Sequence, residues 1–178
     1  SLSLHKEKRR AHTQGVSDTA VQLAQKYGAD TQLAARAGIL HDVTKALTPG
    51  EQQALIGRWQ LPVTEFERAN PQLLHAKTGA AAAQSIFGDA VVSAIKYHTT
   101  GKPDMTALEK IIYLADMIEP NRTYPGVDAI REAAARDLDA GVLLALERTI
   151  AFLQEERAAV CETSIHARDW LLQARKEL

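Results

Sequence analysis

The chain has 178 residues, with 21 basic and 22 acidic side chains and a formal net charge of −1. That length fits one domain with a core of its own, and the balanced charge excludes a strongly basic nucleic-acid binder. A composition of 46% hydrophobic and 24% charged residues excludes a disordered chain.

Alanine is abundant, aromatics are only 5%, and runs of β-branched residues are few, so helix is expected throughout. The first helix is predicted from about Leu4 to Tyr27, stopping at Gly28. A second runs from Thr31 to His41, with Asp30 as its N-cap. A third covers Pro49 to Trp59, with Thr48 as the cap and Pro in the first turn. A short segment follows near Thr64 to Ala69. The next helices are predicted over Leu74 to Phe87, ending at Gly88, and over Asp89 to His98, ending at Thr99-Thr100-Gly101-Lys102-Pro103. The central one is Thr106 to Ile118, opened by the capping box Thr106-x-x-Glu109 and closed before Pro120. Val127 to Ala135, Leu138 to Arg157 and Ser164 to Lys176 complete the set. No strand, repeat or low-complexity linker is read. The fold class is all-α, a single compact helical domain over 1–178, with a core of about 4–136 and C-terminal helices of about 137–178 packed on it. The lone cysteine, Cys161, excludes an internal disulfide framework and fits a reducing compartment. No stretch approaches the roughly 18 apolar residues of a membrane span, and no basic-then-apolar secretory segment opens the chain. A cytoplasmic protein is expected, with no membrane or nucleic-acid partner.

Six histidines stand at positions 5, 12, 41, 75, 98 and 166. His12 shares a helical face with Val16, Ala20, Leu23 and Tyr27, and His41, followed at once by Asp42, with Leu33 and Ala37. His75 shares one with Gly79, Ala82 and Ile86, His98 with Val91 and Ile95, and Asp116 with Leu108 and Ile112. Taken singly, each histidine is an ordinary core residue bonded to a backbone carbonyl, and each aspartate a cap or half of an ion pair. Together they are costly to desolvate, and few Lys or Arg lie on the same stripes to satisfy them. A divalent metal would satisfy the whole set, since imidazole and carboxylate are its usual ligands. His41 and Asp42 diverge by roughly 100° on a helix. Both reach one ion if it sits where the chain leaves the last turn.

The order His12, His41-Asp42, Asp116 resembles the metal signature of the HD-domain phosphohydrolases, all-α enzymes that cleave phosphate esters and anhydrides. Four segments narrow the likeness: Arg9-Arg10-Ala11-His12-Thr13, Gly38-Ile39-Leu40-His41-Asp42-Val43-Thr44-Lys45, Tyr97-His98-Thr99-Thr100-Gly101 and Leu114-Ala115-Asp116-Met117-Ile118-Glu119-Pro120-Asn121-Arg122. They resemble the YqeK-like bacterial family of symmetrical dinucleoside tetraphosphatases, over roughly residues 4 to 175. The resemblance implies an HD domain and hydrolysis of diadenosine tetraphosphate, and related dinucleoside polyphosphates, to two ADP by metal-activated water. ADP- or GDP-type products and iron as the metal follow from the same likeness, and one or two ions are expected.

His12, His41, Asp42 and Asp116 are accordingly assigned as metal ligands, leaving coordination positions for water and a phosphate oxygen. Mixed nitrogen and oxygen donors suit iron or manganese better than a closed structural zinc. Asp42, His75 and His98 are assigned as catalytic. His75 and His98 either complete a second metal site with Asp42 bridging, or contact the phosphates and protonate the departing ADP. Arg9, Lys45 and Arg122 are expected to bind phosphate, with Thr99 beside His98 as a hydroxyl donor. Singly each of these cations is a solvated surface charge, and the threonines are a helix stop. Glu119 is read as a structural partner rather than a base. His5 is excluded, His166 is read as surface or lid, and Trp59 and Trp170 as packing. Alternatives are another HD-type nucleotide phosphohydrolase acting on a nucleoside monophosphate or guanosine polyphosphate, a di-iron oxygenase, and a non-enzymatic nucleotide-binding module. A homodimer is compatible with the sequence.

Overall fold

In the computed structural model, residues 2–176 are described; Ser1, Glu177 and Leu178 of the expected domain span lie outside the described residues. The helices are α1 (Leu2–Tyr27), α2 (Thr31–Leu40), α3 (Pro49–Trp59), α4 (Glu65–Ala69) and α5 (Leu74–Ala83). They continue with α6 (Asp89–Tyr97), α7 (Ala107–Ile118), α8 (Val127–Arg136), α9 (Leu138–Glu155) and α10 (Glu162–Lys176). A 3₁₀ turn, Pro71–Leu73, leads into α5, and no strand occurs among the described residues. The expected all-α fold is therefore observed.

Local chemistry explains where helices begin. The Asp30 carboxylate accepts from the N–H groups of Gln32 and Leu33 at the start of α2. Thr48 with Glu51, Thr64 with Glu67 and Thr106 with Glu109 form reciprocal capping boxes on α3, α4 and α7. Each cap satisfies backbone donors that would otherwise lack partners, and is worth about 1 kcal/mol.

Two boundaries differ from the sequence reading in a way that matters. α5 ends at Ala83, because Gln84, Ile86 and Phe87 close tight turns back onto Ala81 and Ala83 before Gly88 opens α6. Ile86 is consequently 74% exposed and shares no buried face with His75. α2 ends at Leu40, so His41 caps it, and the chain descends through successive turns: Val43 to Leu40, Lys45 to Asp42 and Leu47 to Thr44.

α7 is apolar on nearly every side, as a helix at the centre of a domain should be. Ile111, Ile112, Leu114 and Ala115 are fully buried. α7 packs against α1, α2, α6, α8 and α9, while α10 packs on α9 and α3 on α5. α1 lies along α2 at a close crossing, where a Cβ on Gly38 would come within 2.7 Å of the Ser17 Cα. The Ser17 hydroxyl donates to the Ala35 carbonyl across the same contact. Asp116 of α7 and His12 of α1 are thus brought beside the end of α2, where His41 and Asp42 stand.

Candidate metal centre

Three of the histidines are held alike. His41 donates from Nδ1 to the Gly38 carbonyl, His75 to that of Gln72, and His98 to that of Ile95, each at 2.7 Å. A carbonyl only accepts, so each Nδ1 carries the hydrogen and each Nε2 presents a lone pair. Gly38 and Ile95 lie in final helical turns, where carbonyls are left open to other donors; the Ile95 carbonyl also takes the His98 N–H at 3.5 Å. His12 stands in mid-helix, and its Nδ1 pairs instead with Glu119 Oε1 at 3.1 Å.

All four Nε2 atoms converge on two carboxylates. Asp42 Oδ2 lies 3.3 Å from His41 Nε2 and 3.7 Å from His12 Nε2. Asp42 Oδ1 lies 3.2 Å from His75 Nε2 and 3.4 Å from His98 Nε2. Asp116 Oδ1 is 3.2 Å from His12 Nε2 and 3.8 Å from His41 Nε2. His75 and His98 face one another Nε2 to Nε2 at 3.2 Å. These are residues of five separate segments, spaced over more than a hundred positions of chain.

The atoms fit a metal rather than a hydrogen-bonded core. His12 Nε2, His41 Nε2 and Asp42 Oδ1 are buried and make no hydrogen bond, a costly arrangement without a cation. Two Nε2 lone pairs 3.2 Å apart repel unless a cation or proton lies between them. Ligand atoms of His12, His41 and Asp42 fall within 4.8 Å of one another, as do those of His41, His98 and Asp116 and those of Asp42, His75 and His98. The donor set is imidazole nitrogen and carboxylate oxygen, which suits a divalent transition metal.

The electrostatics show how strongly these groups act on one another. Burial alone would raise the Asp42 carboxyl, but the imidazoles of His41, His75 and His98 outweigh it and hold it far below the usual carboxylate range. Burial likewise opposes ionisation of Asp116, and contact with His12, reinforced by His98, His41 and Arg122, brings it down. Burial pushes the His98 imidazole toward its neutral form against the pull of Asp42. His12 moves the other way, raised by Asp116 against the opposing effect of burial, with Glu119 assisting. The two carboxylates are thus held toward their charged forms and His98 toward its neutral one, the forms a metal would need, while the shift of His12 shows how strongly the carboxylates draw a positive charge to the centre.

Cations stand at the rim. Lys45 Nζ is 2.8 Å from Asp42 Oδ2, and Arg122 donates to Asp116 Oδ1 at 2.6 Å and to the Asp116 carbonyl at 2.8 Å. Arg9 is exposed and, with Lys6, Arg10, Thr13, Gln14 and Ile39, lines a surface cleft of about 420 Å³. Thr99 and Thr100 line a second cleft, of about 210 Å³, with Leu73, Lys77, Tyr97 and Cys161.

Comparison with known proteins bears on this geometry. The HD domain family matches residues 9–121, a span that contains His12, His41, Asp42, His75, His98 and Asp116. A symmetrical bis(5'-nucleosyl)-tetraphosphatase of Bacillus subtilis is 40% identical over 169 residues, covering 93% of this chain and 90% of that protein. The chain belongs to the HD-domain family, in its symmetrical bis(5'-nucleosyl)-tetraphosphatase branch. A protein of the same description from Halalkalibacterium halodurans is 40% identical, covering 96% of this chain and 92% of its own. A crystal structure described as a predicted HD superfamily hydrolase involved in NAD metabolism, from Clostridium acetobutylicum, superposes with a TM-score of 0.91. It is 38% identical and covers 94% of this chain and 90% of that one.

Within this HD domain the fold brings together His12, His41, Asp42, His75, His98 and Asp116, with Lys45 and Arg122 touching the two aspartates. Arg9 stays one turn away on α1. His5 is exposed, and His166 is a surface residue 3.6 Å from Glu162. Sequence reasoning missed the polar network behind the His41-Asp42 turn. Thr44 donates to the His75 carbonyl at 2.9 Å and lies 2.8 Å from the Thr78 hydroxyl. Gln52 donates to the Thr44 carbonyl at 2.6 Å, and Thr78 donates to Gln52 Oε1 at 2.5 Å. This buried set ties the turn to α3 and α5. Its signal in the sequence is slight: two threonines, each three residues from a histidine or two from an aspartate. Also missed was Arg131, which donates to the carbonyls of Ile118, Glu119 and Arg122 and so braces the loop after Asp116.

Proposed function

We propose that this protein hydrolyses diadenosine tetraphosphate and related dinucleoside polyphosphates symmetrically, to two ADP. The observation that carries the reading is the convergence of four imidazole Nε2 atoms on Asp42 and Asp116, with Lys45 and Arg122 at the rim. Relatives described as symmetrical bis(5'-nucleosyl)-tetraphosphatases match nearly the full chain.

His12, His41, Asp42 and Asp116 would hold a divalent metal, iron or manganese on the mixed donor set. The two oxygens of Asp42 face different histidine pairs, which supports a second ion held by His75 and His98 with Asp42 between. His98 is 2% exposed and His75 6%, and this burial favours ligation over direct contact with a polyphosphate. When bound, the metal lowers the pKa of water and polarises the attacked phosphoryl group.

The chain's own residues do the remaining work. Lys45 and Arg122 bind phosphate oxygens, and each now rests on a carboxylate whose charge a metal would take over. Thr99 supplies a hydroxyl donor beyond His98, and Arg9 a further cation on the α1 side. A cation beside each of the two carboxylates suits a phosphate chain gripped at the metal. Attack on either inner phosphorus releases ADP and leaves ADP. The single cysteine supports activity in the reducing cytoplasm.

The test is the first product formed. Hydrolysis in ¹⁸O-labelled water should yield ADP alone, with one label on the β-phosphate of one ADP per event. AMP plus ATP as initial products would overturn the symmetrical assignment. Faster turnover of nucleoside monophosphates or guanosine polyphosphates would move the substrate assignment to another HD phosphohydrolase.

A further inference from the structure

His12 differs from the other three histidines of the cluster in what orients it. His41, His75 and His98 each spend Nδ1 on a backbone carbonyl three residues earlier. No such carbonyl is open to His12, because it lies inside α1, where carbonyls accept from the helix's own N–H groups. The partner comes from another element. Glu119, at the end of α7, is 1% exposed, and its Oε1 meets His12 Nδ1 at 3.1 Å.

The other oxygen of Glu119 is fully committed. Oε2 accepts from the Asn121 backbone N–H at 2.7 Å and from Asn121 Nδ2 at 2.9 Å. The backbone around it is braced by Arg131. The carboxylate is also wedged against α1: a Cβ on Gly15 would lie 2.5 Å from Oε2. Gly15 thus makes room for Glu119 one turn beyond His12.

We infer that Glu119 is a positioning residue that fixes the tautomer and orientation of His12 and sets the metal affinity of the centre, an inference that rests on His12 being a metal ligand. A carboxylate only accepts, so His12 Nδ1 carries the hydrogen and Nε2 is left open toward Asp42 and Asp116. The negative charge also makes this imidazole a stronger donor to a cation than its carbonyl-held neighbours.

The arrangement makes an unusual demand on the isosteric variant. In Glu119→Gln the side-chain carbonyl must take the Asn121 side, where two N–H donors point. The amide NH₂ then faces His12 Nδ1, which must accept. That turns His12 into the Nε2–H tautomer, which holds no metal. A residue needed only for packing would tolerate Gln well; a positioning residue would not.

The experiment measures Mn²⁺ binding to the metal-free, nucleotide-free protein, reading the free ion by electron paramagnetic resonance, with folding checked by circular dichroism. Glu119→Gln should bind Mn²⁺ about 10–100-fold more weakly than wild type. Wild-type affinity in folded Glu119→Gln overturns the inference. His12→Ala separates the two claims. If it loses affinity while Glu119→Gln does not, only the positioning role falls. If His12→Ala binds like wild type, the ligand assignment falls and the inference with it.

Discussion

Lys45 and Arg122, phosphate contacts on the sequence pattern, each rest on a carboxylate of the cluster. Their side chains remain 44% and 36% exposed, so both can still reach a ligand above the centre. Removing either should lower kcat/KM about 10–160-fold, the loss of one charge-assisted contact of about 1.5–3 kcal/mol. Metal content, measured by elemental analysis, should not fall, because deleting a cation beside Asp42 or Asp116 leaves the donors intact. Lost metal in Lys45→Ala or Arg122→Ala would instead make these residues supports of the carboxylates. The six clustered His and Asp residues were legible one by one, from apolar stripes and the His-Asp step. Their mutual distances were not, since a stripe says that a side chain points inward and nothing of what it meets. Ile86 matches His75 in helical periodicity, but α5 stops three residues short of it and leaves its side chain exposed.

Helix α2 carries two duties at its C-terminal end. The Gly38 carbonyl orients His41, and the missing Gly38 side chain lets α2 approach Ser17 of α1. A Cβ there meets backbone at 2.7 and 3.1 Å, which no rotamer change can relieve. Gly38→Ala should therefore part α1 from α2, at a cost of about 1–3 kcal/mol. His12 and His41 sit on those two helices, so Mn²⁺ affinity should fall together with the urea midpoint. A midpoint unchanged from wild type would mean that the crossing relaxes at no cost. Elements with a local chemical cause were predictable to within a residue or so: the capping box of α7, the Asp30 cap of α2, and the Thr48 cap and Pro49 start of α3. The 3₁₀ turn before α5 and the early end of α5 were not predicted. There the chain bends to seat α5 against α6 and α3, a tertiary requirement that no residue of 84–87 announces.

At the scale of the molecule, the centre joins α1, the end of α2, α5, the end of α6 and α7, and so spans the fold. An ion that binds these helices only when they are assembled stabilises the assembly. At a free metal concentration about 100 times Kd, the gain is about 2.7 kcal/mol, or about 5–10 °C in Tm for a domain of this size. A chelator should reverse it, and His41→Ala should abolish the response to added Mn²⁺ while staying helical. Equal melting with and without metal in the wild type would contradict the ligand set. The sequence by itself determined the helical class, because periodic burial and capping are local properties, and it named the clustered His and Asp residues through their spacing and family likeness. Tertiary structure alone decided that Asp42 turns one oxygen to each histidine pair, that Glu119 rather than a backbone carbonyl orients His12, and that Thr44, Gln52 and Thr78 lock the His-Asp turn. Those relations are between residues far apart in the chain. Only the packing of α1, α2, α5, α6 and α7 around one another sets their distances, and hydrogen-bond and metal chemistry depend on tenths of an ångström that no periodicity encodes.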